Sequence, residues 1–209
     1  MSQKEATQRR RYSPEVRRAM ILDEAAEIIS REGVANLSLE GIGQQAGVSK
    51  SLVYNYFGSL LELMKELLDR ELKAQRRSQF EAAKKARTFE ELIRNITHAY
   101  LTYIAERGLI IERLQAEPSV SGTHDPTDYG RSGAVDYLVP IVAGHFDLPE
   151  DLARAAIDIS FGLPSAAGQY LLRGAMPLEE VEDITVSMIL GSFTQFHTDY
   201  KARRQPLEH

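Results

Sequence analysis

The stretch Ser38 to Phe57, SLEGIGQQAGVSKSLVYNYF, constrains this chain more than any other. A Ser able to cap a helix precedes a short apolar set, Leu39, Ile42 and Ala46. A Gly-Val-Ser turn then separates that set from a second short run beginning at Lys50. Two short helices joined by so tight a turn must cross steeply, and the pattern predicts a helix-turn-helix. Gly43 is small enough to let a crossing helix come close, Val48 fills the turn, and Ser49 can cap the second helix. Val53 and Phe57, four residues apart, face inward together and leave Lys50, Ser51, Tyr54 and Asn55 facing outward. A cation, a hydroxyl, a phenol and an amide at the front of a short helix are groups that hydrogen-bond phosphates and base edges. The expectation is binding to double-stranded DNA through Ser38, Ser49, Lys50, Ser51, Tyr54, Asn55 and Tyr56.

A net charge of -5 runs against that expectation until it is divided along the chain. Met1 to Met20 carries six basic and two acidic residues, a charge of +4, which leaves -9 for Ile21 to His209. A basic arm can neutralise phosphates and release counterions, while an acidic body is repelled by the duplex. Residues 1–12 are accordingly expected to form a flexible basic arm, either contacting DNA or simply solvated. The chain has no Cys, which removes disulfides, thiolate metal sites and thiol nucleophiles together. No apolar run reaches the roughly 18 to 20 residues of a membrane span, and the N-terminus has no signal-peptide core. The expected location is cytoplasmic, with no membrane partner. Residues 205–209 resemble a tail ending in a tag scar.

Ahead of the central stretch, Ser13-Pro14-Glu15 starts a helix whose Ile21, Leu22, Ala25, Ala26, Ile28 and Ile29 recur at helical spacing until Gly33. Behind it, Gly58-Ser59 opens a long helix with an apolar stripe of Leu60, Leu63, Leu67, Leu68 and Leu72. No flexible linker follows the head, so this helix is expected to run from the head into the body. Thr88 with Glu91 forms a capping box ahead of Phe89, Leu92, Ile96, Tyr100 and Tyr103. Gly108 is expected to open a separate short helix ending at Pro118, and Ser119 to Gly133 to form one long loop. Ala134 to Phe146 should kink or restart at Pro140. A helix begun by Pro149 should kink at Pro164, and its many small residues invite a close neighbour. The last helix, begun by Pro177, spreads Val181, Ile184, Met188, Ile189, Phe193, Phe196 and Tyr200 over more than one face. Such a helix needs cover on both sides: its own body on one and a symmetry mate on the other, or, in a monomer, its own chain on both.

The residues Leu22-Asp23-Glu24-Ala25-Ala26 before Gly33, Ser38 followed by Ile42, and Ala46-Gly47-Val48-Ser49-Lys50 leading to Tyr54-Asn55-Tyr56-Phe57 together resemble the tetracycline-repressor-like (TetR) transcriptional regulators. The resemblance covers about the first third of the chain. Two positions depart from the pattern: Ser51-Leu52 stands where Gly-Thr is frequent, and Leu60 where a lysine commonly opens the fourth helix. The resemblance implies a ligand-responsive repressor that binds a palindromic operator as a homodimer and is released by a small molecule in its C-terminal domain. It also implies that the last two helices form the dimer interface, to which Ile157, Phe161, Ala167, Met188, Phe193 and Phe196 are assigned.

The fold expected is all-α, with a three-helix head over residues 13–58 continuous with a ligand-binding and dimerising helical bundle over residues 59–204, about nine helices in all. Tyr100, Tyr103, Arg113, Tyr137 and Phe161 are candidates for a mostly apolar effector cavity with a few polar anchors. Each tyrosine could equally be ordinary core with its hydroxyl satisfied. His98, His124, His145 and His197 lack metal-ligand spacing, so neither metal nor cofactor is expected. Ser165 lacks a nucleophile elbow and reads as packing. Gly41-Ile42-Gly43 lacks the third glycine and preceding strand of a dinucleotide site. No acid, base and nucleophile converge in the pattern, and an enzyme is not expected. A DNA-architectural protein or an activator, working without a small-molecule ligand, stays open as the alternative.

Overall fold

The computed structural model describes residues 13–121 and 126–204. The basic arm, His124 and the tail beyond Arg204 lie outside these residues. The described residues form ten α-helices and no strands. They pack as two compact units, one ending at Leu67 and the other beginning at Leu68.

The first unit holds α1 (Pro14–Glu32), α2 (Leu39–Gln45), α3 (Lys50–Tyr56) and the opening of α4 (Leu60–Ala83). Each helix start is fixed by a hydroxyl. Ser13 Oγ accepts from the Val16 amide, Ser38 Oγ from Gly41 at 3.1 Å, Ser49 Oγ from Leu52 at 3.3 Å and Ser59 Oγ from Glu62 at 3.1 Å. These bonds satisfy amides that an α-helix leaves unpaired in its first turn. α1 stops at Gly33, whose φ of 82° lies where a side chain is strained. Its inner face buries Ile21, Leu22, Ala25, Ala26, Ile28 and Ile29, the residues that the helical spacing predicts. Ile42, Val53, Phe57 and Leu63 are also fully buried. Between α2 and α3 the chain turns through Gly47 at φ 66°, and the Val48 amide donates back to the Gly43 carbonyl at 2.9 Å. A methyl group on Gly43 would sit 2.9 Å from Val53 Cγ2 and 3.3 Å from the Val48 carbonyl, so glycine sets how closely the two helices cross.

The second unit holds the remainder of α4, then α5 (Phe89–Gln115), α6 (Pro118–Ser121), α7 (Pro126–Phe146), α8 (Glu150–Ser160), α9 (Gly162–Leu172) and α10 (Leu178–Arg204). The capping box closes α5: Thr88 Oγ1 accepts from the Glu91 amide at 3.1 Å, and the Glu91 carboxylate accepts from the Arg87 amide at 2.8 Å. The core joins Phe89, Leu92 and Ile93 of α5 to Val135, Val139, Val142 and Phe146 of α7, Ile157 of α8 and Val186, Ile189 and Phe193 of α10. At its centre Phe89 meets Phe146 and Phe193 edge-on, at centroid distances of 5.1 and 5.8 Å, a geometry that aromatic quadrupoles favour.

Several expectations are corrected here. Gly108 opens no new helix, because α5 runs unbroken through it. It is buried instead where α9 crosses, and a methyl there would lie 3.1 Å from Leu172 Cδ2. Gly168 of α9 plays the matching part against the ring of Tyr100, so the small residues of this region do admit a close neighbour. The loop expected over Ser119 to Gly133 is largely helix, since α6 includes Ser119 and α7 begins at Pro126. The helix does not restart at Pro140, which lies inside α7 on its exposed face, where solvent can take up the carbonyl its ring leaves unbonded. Pro164 belongs to the first turn of a new helix, α9, and Phe161 marks the junction with α8.

Candidate nucleic-acid interface

α3 has seven residues, and only Val53 among them is buried. Ser51, Tyr54 and Asn55 are exposed, and Tyr56 is half-buried. Ser38 and Ser49 spend their hydroxyls on helix capping, and Ser49 Oγ also lies 3.1 Å from Ser51 Oγ. Both serines therefore shape the site, holding α2 and α3 at their starts. Lys50 forms an ion pair with Glu40 of α2, and its Nζ sits 5.8 Å from the centre of the Tyr54 ring. The Glu40 carboxylate raises the Lys50 pKa, and the ammonium stays charged. The outward surface of α3 thus offers one cation, two hydroxyls and an amide on a helix whose inner side is fixed by Val53.

Two residues that the sequence pattern did not single out hold α3 in place. Arg18 of α1 donates from Nε to Glu66 Oε1 at 2.6 Å, pairs through Nη2 with the other oxygen of Glu66, and donates from Nη1 to the Tyr56 carbonyl at 3.1 Å. Its guanidinium also lies over the Phe57 ring, 4.6 Å from the centroid. One planar fork thereby ties α1, the end of α3 and α4 together, geometry a lysine could not reproduce. Its partner Glu66 stands 48 residues away. No local spacing signals a pair so far apart.

In the second unit the five effector candidates are dispersed. Tyr103 donates to Glu71 Oε2 at 2.9 Å and faces an open cleft of about 400 Å³ that is also lined by Ser78, His98, Thr102 and Glu106. The other four do not line this cleft. Tyr100 packs against Gly168 and is desolvated, which raises its pKa. Tyr137 is at the surface with its ring edge-on to Phe80, Phe161 lies beneath the Arg131 guanidinium, and Arg113 is half-buried near the end of α5. Glu71, absent from the sequence candidates, is 3% exposed. It accepts from Arg107 Nε at 2.9 Å and Nη2 at 2.8 Å, from Tyr103, and from Arg70 at 3.1 Å. Burial alone would raise its pKa, but the bonds from Arg107 and Tyr103, with the Arg107 charge, outweigh it and hold the carboxyl below its usual range. The hint lay in the α4 stripe, where Glu71 follows Leu63 and Leu67 at intervals of four.

The dimer candidates divide by burial. Ile157 and Phe193 are 1% and 4% exposed within the single chain, so its own core consumes them and they cannot face a second copy. This corrects their assignment. Phe161, Ala167 and Phe196 are half-buried. Met188 is 53% exposed and Ile184, one turn earlier, 50% exposed. These two form the uncovered side of a helix apolar on two faces.

Fold and site together define an all-α protein with a helix-turn-helix head. Residues 21–67 match the model of the bacterial regulatory proteins of the tetR family. The HTH-type transcriptional regulator BetI of Agrobacterium fabrum (strain C58 / ATCC 33970) is 32% identical over 83 residues, a match that spans 40% of this chain and 40% of that relative. A solved tetR-family transcriptional regulator from Streptomyces coelicolor superposes with a TM-score of 0.68 at 21% identity, covering 90% of this chain and 85% of its own. The TetR-like regulator LfrR of Mycobacterium smegmatis, solved in complex with proflavine, gives a TM-score of 0.58 at 18% identity over 84% of this chain and 96% of its own. The match to the tetR family thus lies in the helix-turn-helix head, and the likeness of the rest of the chain to the solved regulators is one of fold.

Proposed function

We propose that this protein binds a palindromic DNA operator as a homodimer, acts as a transcriptional repressor, and is released by a small molecule held in the second unit. The observation that carries this reading is the outward face of α3, where Lys50, Ser51, Tyr54 and Asn55 stand clear of the head while Gly43 and Arg18 fix the helix beneath them. Lys50 is suited to a backbone phosphate, and Tyr54 and Asn55 to base edges in the major groove. In the proposed dimer two such helices would reach half-sites roughly 34 to 36 Å apart, one turn of DNA. Ile184 and Met188 are the part of α10 available to a second copy.

Release by a ligand is supported by the LfrR complex and by the cleft beside Tyr103. In this proposal the effector acts on the head by way of α4, whose residues belong to both units. The ligand must prefer the conformer that does not bind DNA, since equal affinity for both shifts nothing. Selection of binding sites from a random duplex pool, repeated with candidate metabolites, tests this reading. Enrichment of an inverted repeat whose recovery falls when a metabolite is added is the expected result. A pool that stays random at low salt would end the proposal.

A further inference from the structure

Between Ser38 and Phe57 the chain carries two charged residues, Glu40 and Lys50, and they are paired with each other. All the remaining outward groups of α2 and α3 are neutral. Their attraction for the DNA backbone therefore depends on one ammonium that the protein has already matched with a carboxylate. Both side chains are well exposed, so solvent reaches the pair and it can open without disturbing the core.

We propose that Glu40 is an internal competitor for the DNA backbone, occupying Lys50 in the free protein and yielding it to a phosphate on binding. The inference rests on the reading of α3 as a DNA-binding surface and adds a residue that sets its affinity. A carboxylate and a phosphate oxygen offer an ammonium the same kind of charge-assisted bond. Each binding event must therefore exchange one for the other, and the measured affinity is the difference between the two. The exchange involves no base edge, so its cost is the same on every sequence and limits non-specific attachment as much as specific. The Tyr54 ring beside the ammonium keeps it near α3 whichever anion it meets.

The test is a fluorescence-anisotropy titration of a labelled mixed-sequence duplex at low salt, with wild type, Glu40→Gln, Lys50→Gln and the double variant. Glu40→Gln is expected to bind about two- to fivefold tighter than wild type, the range that an exposed pair supports. Lys50→Gln should bind more weakly, and Glu40→Gln should bring no gain in the Lys50→Gln background. Glu40→Ala should rank with Glu40→Gln, which guards against an effect of the amide itself. Unchanged or weaker binding by both Glu40 variants would overturn the inference. An equal gain with and without Lys50 would overturn it too, because Glu40 would then act only by repelling phosphate. If no form of the protein, wild type included, binds any duplex, the DNA-binding reading itself fails, and that outcome is distinct from a bound wild type with an inert Glu40.

Discussion

Arg107→Ala should be among the most destabilising single changes in the second unit, because it strands a buried carboxylate. In the native chain Glu71 is 3% exposed and receives two bonds from Arg107, one from Tyr103 and one from Arg70. Removing Arg107 deletes half of these bonds and the better buried of the two guanidinium charges. Breaking a buried ion pair from one side typically costs about 3 to 5 kcal/mol. Arg70 remains beside Glu71, so the loss here should fall near the lower end, about 3 kcal/mol. Urea unfolding followed by circular dichroism reads this directly. Replacing both partners, as Glu71→Met with Arg107→Met, should recover most of the loss, since no charge is then left in the core. The pH dependence has a definite sign. A carboxyl whose folded pKa is held below its unfolded value gives its full stabilisation above the unfolded pKa and loses it as the pH falls through the folded one. Wild type and Arg107→Ala should therefore converge in acid. A loss below about 1 kcal/mol at neutral pH, the scale of an exposed pair, would refute the view that this network locks α4 to α5.

Gly43→Ala should cost the first unit about 1 to 3 kcal/mol, since its methyl would press on buried Val53 and the Val48 carbonyl, and DNA binding should weaken with it; calorimetry on the intact chain checks the first part and anisotropy the second. Met188→Lys, alone or with Ile184→Lys, should turn the proposed dimer into a folded monomer in light scattering, whereas a soluble mutant dimer would remove this face of α10 from the interface. Arg18→Lys should weaken DNA binding while leaving α3 helical, because an ammonium cannot hold Glu66, the Tyr56 carbonyl and the Phe57 ring at once.

Local chemistry made much of this fold readable. Ser13, Ser38, Ser49, Ser59 and Thr88 all cap the helices they precede, the apolar spacing of α1 names its buried residues, and that of α4 names Leu63, Leu67, Leu68 and Leu72. Contacts between distant residues were not readable. Arg18 with Glu66 and Glu71 with Arg107 are separated by 48 and 36 residues, and no periodicity within one helix selects such partners. Helix α10 shows a related limit. Its two apolar faces are visible in the pattern, but which one the body keeps depends on packing with α5 and α7, and Phe193 went inward while Met188 stayed out. Pro164 misled for a simpler reason: it belongs to the first turn of a new helix, where a proline's missing N–H costs nothing, and it does not lie inside a longer one.

The central claim is that α3 binds DNA, and Lys50 is its one charged group. The most direct measurement is the affinity of wild type and Lys50→Ala for one selected duplex across a series of salt concentrations. Loss of a phosphate contact should weaken binding at every salt and reduce the slope of log K against log salt by about one. Identical affinities and slopes for the two proteins would contradict the placement of Lys50 on the DNA.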